Sequence, residues 1–222
     1  GSNCVKFQSW KPQSLYTEKY FKDNPISERF FQKYSLSEKS LLMLANYAKS
    51  LRLDFSSTPY SNEEVDFLVD KCKARFVKIA SMDLNNIDFL KYIAKKRVAV
   101  VLSTGMGNTE EIKEAVKTLK RNGNKELYIL HCVSVYPTPA NLANLRNILG
   151  LKKLFPKIDI GFSDHTIGAE FAVAAVACGA KIIEKHFTLD NNQIGMDNNM
   201  AAEPLMIKRM INECNQVYLA LG

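Results

Sequence analysis

Residues 158–186, IDIGFSDHTIGAEFAVAAVACGAKIIEKH, constrain the fold more than any other stretch of this chain. An apolar run, Ile158 to Phe162, ends at Ser163, Asp164 and His165. Small and apolar residues from Ala169 to Ala180 have helical character, and a second apolar run from Lys181 ends at Glu184, Lys185 and His186. That is strand, helix, strand, with a histidine at the downstream end of each strand. In an α/β barrel the downstream ends form the face that carries chemistry. Two imidazoles on neighbouring parallel strands can converge on one metal ion. Either could instead be a structural histidine, but the chain has only three, and two of them fall at equivalent strand ends.

The same unit recurs along the chain. Strands are expected at 4–7, 53–56, 76–79, 98–102, 127–130, 158–162 and 181–184, each followed by a helix. Ser37, Asn62 and Thr109 are expected helix caps, Asp88 to Lys95 and Asn141 to Phe155 helical, and Glu203-Pro204 the start of a last helix. Gln8 to Lys33, with Pro12 and Pro25, reads as a long loop with one short helix. Runs such as Val98 to Leu102, apolar throughout, predict strands buried on both faces, as in parallel sheets. The fold class is therefore α/β: a (β/α)8 TIM barrel spanning 1–222 and lacking its first βα unit. An open doubly wound sheet is the runner-up, and no G-x-G-x-x-G follows a strand. A barrel short of one strand is expected to leave edges at Cys4 to Phe7 and Lys181 to Glu184. Such a chain would be poorly stable, oligomeric through those edges, or completed by a further segment.

Hydrophobic content of 46% and charged content of 24% fit a globular domain. No apolar run approaches the ~20 residues that span a bilayer, and no signal-peptide pattern opens the chain. Five scattered cysteines without a C-x-x-C pair suit a reducing compartment, so the expected location is the cytoplasm. The net charge of +7 is dispersed over helical segments such as Lys113 to Arg121, which argues against nucleic acid. Basic groups at strand ends suit a small anionic substrate.

Polar groups gather where each strand ends: Lys6 and Gln8; Ser57 and Thr58; Lys78, Ser81 and Asp83; Ser103 and Thr104; His131, Ser134 and Tyr136; Ser163, Asp164 and His165; Glu184, Lys185 and His186. Lysines, hydroxyls and backbone N–H groups near Gly105 and Gly107 make a sensible site for a phosphate and a carboxylate. Alternatively, Lys6 and Lys78 simply pair with a barrel carboxylate such as Glu184. The Tyr-Pro-x-Pro turn at Tyr136 places its hydroxyl over the barrel mouth or merely packs the ring. His131, within its strand, reads as structural, and Asp197 as an ordinary loop aspartate.

The motifs VKFQ, SSTPYS, KIAS, LSTGM, LHCVSVYPTP, GFSDHTIG and IIEKHFTLD, in that order from Cys4 to about Pro204, closely resemble the N-acetylneuraminic acid (sialic acid) synthase family. That family includes legionaminate, pseudaminate and spore-coat polysaccharide synthases. The resemblance implies condensation of phosphoenolpyruvate with an N-acyl mannosamine-type amino-sugar, releasing phosphate. It implies that His165 and His186 bind a divalent metal, typically Mn2+ with Mg2+ possible. Lys6, Thr58, Lys78, Ser81, Ser103 and Ser163 match positions that hold phosphoenolpyruvate, with Lys78 catalytic; Ser134 matches a position that is often asparagine. Gln8, Tyr136 and Asp197 match positions around the amino-sugar. The resemblance further implies a homodimer for the full-length protein. Family members begin with a strand carrying an acidic residue near the metal and end with an antifreeze-like domain, neither of which is read here, so this chain by itself is expected to be inactive. Asp83 stands where a glutamate is usual, and Asn198 where an imidazole is usual. A non-catalytic barrel that binds a phosphorylated ligand or partner, or another phosphoenolpyruvate-dependent aldol synthase, are the alternative readings.

Overall fold

The computed structural model describes residues 1–222. Seven strands alternate with helices: β1 (Cys4–Ser9), β2 (Asp54–Pro59), β3 (Phe76–Ile79), β4 (Ala99–Ser103), β5 (Leu127–Cys132), β6 (Asp159–Asp164) and β7 (Ile183–Lys185). All pairings are parallel, in the order β1-β2 and β3-β4-β5-β6-β7. The chain is an α/β fold built on a parallel half-barrel. All seven expected strands are present, shifted by a residue or two at most ends. The ladder breaks between β2 and β3, where the Ser56 hydroxyl donates to the Phe76 carbonyl at 2.7 Å. No backbone ladder joins β1 to β7.

The strands are buried on both faces, as their composition suggested: Val100, Val101 and Leu102 of β4 are all buried, and so are Ile129 and Leu130 of β5. The two faces differ in chemistry. Val77, Ile79, Val100, Leu102, Ile129 and Phe162 point into the main core under the helices. Their neighbours on the opposite face are Lys78, Ser103, Cys132, Ser163 and Glu184, aligned by Cα pairings such as Cys132 with Ser163 and Ser163 with Glu184. Val5, Phe7 and Phe55 likewise pack with Leu41 and Ala45 of the helix Glu38–Ser50, which leaves Lys6, Gln8, Ser56 and Thr58 inward. A buried Ile or Leu contributes about 1.5–3 kcal/mol, so the outer face carries the stability and frees the inner face for polar groups.

Between β1 and β2 lie four helices: α1 (Pro12–Leu15), α2 (Glu18–Asp23), α3 (Pro25–Tyr34) and α4 (Glu38–Ser50). The expected loop with one short helix is thus three helices, tied by an aromatic cluster in which Phe31 meets Trp10, Tyr16 and Phe21. That packing is between rings distant in sequence and leaves no periodic pattern. Ser37 caps α4 as expected, accepting from Ser40 N at 3.1 Å. Two other caps move by one residue. Ser61, not Asn62, caps α5 (Asn62–Asp66), and Asn108, not Thr109, caps α7 (Thr109–Arg121) in a reciprocal capping box with Glu111. The intervening helix α6 covers Ile87–Lys95. Residues 141–155 divide into a 3-10 turn, Ala140–Leu142, and α8 (Arg146–Leu154). Helices α9 (Glu170–Ala177) and α10 (Pro204–Ala220) complete the chain. No helix is long and apolar enough to cross a membrane.

Candidate functional site

The inner face is organised around one carboxylate. Glu184 at the middle of β7 has Lys78 Nζ 3.6 Å from one oxygen and Lys6 Nζ 3.9 Å from the other. Ser163 donates its hydroxyl to Glu184 at 2.7 Å. Burial by itself would raise the Glu184 pKa; the two ammonium groups and the hydroxyl outweigh it and hold the carboxyl at about 2. Lys78 is buried, donates to Ser103 at 2.7 Å, and has its pKa lowered by that burial against the pull of Glu184. The pairing with a barrel carboxylate is therefore real, and it leaves one surplus positive charge beside three hydroxyl-bearing strand ends.

Ser81 opens the turn after β3. Its hydroxyl accepts from Gly105 N at 2.9 Å and lies 3.6 Å from Cys132 Sγ. A Cβ on Gly105 would meet Ser134 Oγ at 2.7 Å, so Ser134 closes over the same loop. Lys6, Lys78, Ser81, Ser103, Ser134 and Ser163 thus occupy the expected inner face. Thr58 is buried beside Gln8 in the β1–β2 register. Gln8 accepts the Tyr60 hydroxyl at 3.3 Å.

The two histidines come together. Their ring centroids are 5.4 Å apart, and Tyr136 tilts over His165 at 4.2 Å. The Tyr136-Pro137 peptide is cis. His165 Nδ1 donates to the Val133 carbonyl at 2.7 Å, and its Nε2 faces the Ser163 hydroxyl at 3.4 Å. Asp197 Oδ2 lies 3.4 Å from His186 Nδ1, so the expected loop aspartate stands beside a site imidazole. Burial, with the charges of His165 and Lys6, depresses the His186 pKa to about 3 and keeps that ring neutral. The His165 pKa is raised: burial opposes this, but Cys132 and the Val133 carbonyl favour the charged ring. Imidazole nitrogens are donors that a divalent cation takes, and an ion at His165 Nε2 would displace its contact with the Ser163 hydroxyl. No group of three or more His, Cys, Asp or Glu residues is placed to hold a metal ion.

His131 is structural, its Nε2 bonded to the Ala143 carbonyl at 2.8 Å. Sequence reasoning missed Cys132 and Tyr60 as site neighbours and gave Glu184 only a balancing role. The inward parity of Lys78, Ser103 and Ser163 would have picked out Cys132.

Polar side chains at the carboxyl ends of parallel strands, facing inward from an apolar outer layer, define an α/β half-barrel with its site at the chemical face. The chain belongs to the NeuB family, whose model matches residues 1–222. It is 41% identical over its whole length to a protein of Methanocaldococcus jannaschii, of which it covers 64%. It is 39% identical to the N,N'-diacetyllegionaminic acid synthase of Campylobacter jejuni, covering all of this chain and 69% of that one. The crystal structure of an N-acetylneuraminic acid synthetase from Leptospira borgpetersenii superposes on 99% of this chain and 74% of its own, with a TM-score of 0.92 and 32% identity.

Proposed function

We propose that this chain carries the condensing face of a nonulosonic-acid synthase, joining phosphoenolpyruvate to an N-acyl mannosamine-type sugar and releasing phosphate. The observation that carries this reading is the placing of paired imidazoles on the same inner face as Lys78, Ser103 and Ser163. Kinship with sugar-acid synthases supports it.

Lys6 and Lys78, partly balanced by Glu184, attract the phosphate and carboxylate of phosphoenolpyruvate. Ser81, Ser103, Ser134, Ser163 and Thr58 supply neutral donors, fixed in place before the substrate arrives. Gln8, Tyr136 and Asp197 form the side that meets the amino-sugar. The methylene carbon of phosphoenolpyruvate bonds to the aldehyde carbon of the sugar, whose oxygen ends as a hydroxyl. The carbon bearing phosphate becomes electron-poor and takes up water. The phosphate C–O bond then breaks, leaving a keto acid. His165 and His186 would hold a divalent ion, Mn2+ or Mg2+, which would supply Lewis acidity toward the aldehyde oxygen.

The test is calorimetric titration of phosphoenolpyruvate into wild type and Lys78→Ala in the presence of manganese. Wild-type binding that falls at least tenfold in the variant supports the reading. Equal affinities, or no binding by wild type, overturn it.

A further inference from the structure

Behind the two imidazoles lies a buried ion pair for which the proposed chemistry has no use. Asp164 and Lys185 directly precede His165 and His186 and are Cα partners, the last in the β6–β7 ladder. Their side chains leave the sheet on the face opposite Ser163 and Glu184. Lys185 Nζ lies 2.9 Å from Asp164 Oδ2, with 2% and 0% of the two side chains exposed. The other Asp164 oxygen accepts from Thr166 N at 2.9 Å and from the Thr166 hydroxyl at 2.7 Å. Lys185 also donates to the Thr166 carbonyl. The residues on both sides of His165 are therefore fastened to the residue before His186.

Two facts separate this from ordinary stabilisation. Strand β7 is only three residues long, and its ladder with β6 stops at Asp164 and Lys185. One step further along, nothing in the ladder fixes one imidazole against the other. A buried ion pair, moreover, is weak evidence for stability, because apolar groups of similar size often do as well; in some proteins such a pair serves instead to fix one geometry.

We infer that Asp164 and Lys185 are positioning residues that hold His165 and His186 at the separation needed to share one divalent ion. The inference rests on the metal reading above. The pair itself touches no ligand: it faces away from the site, and both oxygens of Asp164 are already engaged.

Manganese is titrated into the protein, and free ion is followed by electron paramagnetic resonance. The proteins are wild type, His165→Ala, Thr166→Val and the double variant Asp164→Leu/Lys185→Met. A single Asp164→Asn change would strand the Lys185 ammonium and threaten folding, whereas the double variant removes both charges together. Its unfolding temperature and its affinity for inorganic phosphate are measured in parallel. The expected result is a folded double variant with manganese affinity at least tenfold below wild type and phosphate affinity within twofold. Should the double variant not fold, Thr166→Val decides, with a threefold or greater loss expected. Manganese affinity within twofold of wild type, in whichever variant decides, makes the pair merely structural and overturns the inference alone. Absence of wild-type binding, or binding unchanged in His165→Ala, overturns the metal reading and this inference with it.

Discussion

Lys6 Nζ lies 3.9 Å from Glu184 Oε2, linking the first strand to the last across a seam that has no backbone ladder. The other Glu184 oxygen faces Lys78, so one carboxylate is shared by two ammonium groups drawn from two sheets and offsets half of their charge. Glu184→Gln keeps an acceptor for Ser163 but leaves two like charges facing each other. A loss on the order of 3 kcal/mol at neutral pH is expected. A carboxyl held at about 2 contributes stability that is complete above its usual value of 4.5 and disappears as the pH falls toward 2. Urea unfolding should therefore show a gap between wild type and variant that is constant from pH 7 to 5 and closes below. A gap unchanged at pH 3 would refute the charge account. Phosphate should also raise the unfolding temperature of the variant more than that of wild type.

Manganese affinity should fall at least tenfold in His186→Ala, and the wild-type affinity should weaken with acid in a way that one ring governs. His186 stays neutral through the working range because its pKa is held at about 3. His165, with its pKa raised, is the ring at which protons compete with metal. Affinity measured at pH 6 should be weaker than at pH 8 in wild type, and that difference should shrink in His165→Ala. Equal pH dependence in both proteins would assign the competing proton elsewhere.

Gly105→Ala should damage the phosphate side of the site. The added methyl would lie 2.8 Å from Cys132 Sγ and 3.1 Å from the Cys132 carbonyl, besides its clash with Ser134. Relief requires moving the loop whose Gly105 N–H now reaches Ser81. A stability cost of about 1–3 kcal/mol is expected, as for overpacking a close-packed site. Calorimetry should show phosphoenolpyruvate binding weakened, with manganese affinity unchanged. Wild-type affinity for phosphoenolpyruvate would mean that Ser81 and Ser134 do not touch it.

The strands and their order were legible because each is a short apolar run closed by polar residues, and the two histidines because they sit at equivalent places in a repeated unit. Three things were not. The apolar content of β4 hid which residues face the site: Val101 is as apolar and as buried as Val100 and Leu102 but shares the inner face with Lys78, its Cα partner. The helices between Pro12 and Tyr34 rest on ring contacts between residues far apart in sequence, which no periodicity reports. The capping positions at Ser61 and Asn108 each stood next to another good capping residue, and side-chain reach decided between them.

Glu64 gives the last prediction. Buried in α5, it accepts from Tyr60 N at 2.7 Å with one oxygen. With the other it accepts from Lys11 N at 3.1 Å and from the Ser14 hydroxyl at 2.7 Å. It thereby ties the end of β2 to the turn after β1, and these two segments carry Tyr60 and its acceptor Gln8. Glu64→Ala leaves the part-buried Tyr60 N–H without its acceptor, while Lys11 N keeps the Ser14 hydroxyl, and a cost of about 1–3 kcal/mol is expected. Glu64→Gln keeps one acceptor and should lose less. The chain has a single tryptophan, Trp10, next to Lys11, largely buried and donating to the Phe31 carbonyl at 3.4 Å. Its fluorescence reports directly on this turn. Emission should shift to the red in Glu64→Ala, less so in Glu64→Gln, and not at all in the distant Gly105→Ala variant. An unshifted spectrum in a destabilised Glu64→Ala protein would show that the aromatic cluster of Trp10 and Phe31, not the carboxylate, holds the turn in place.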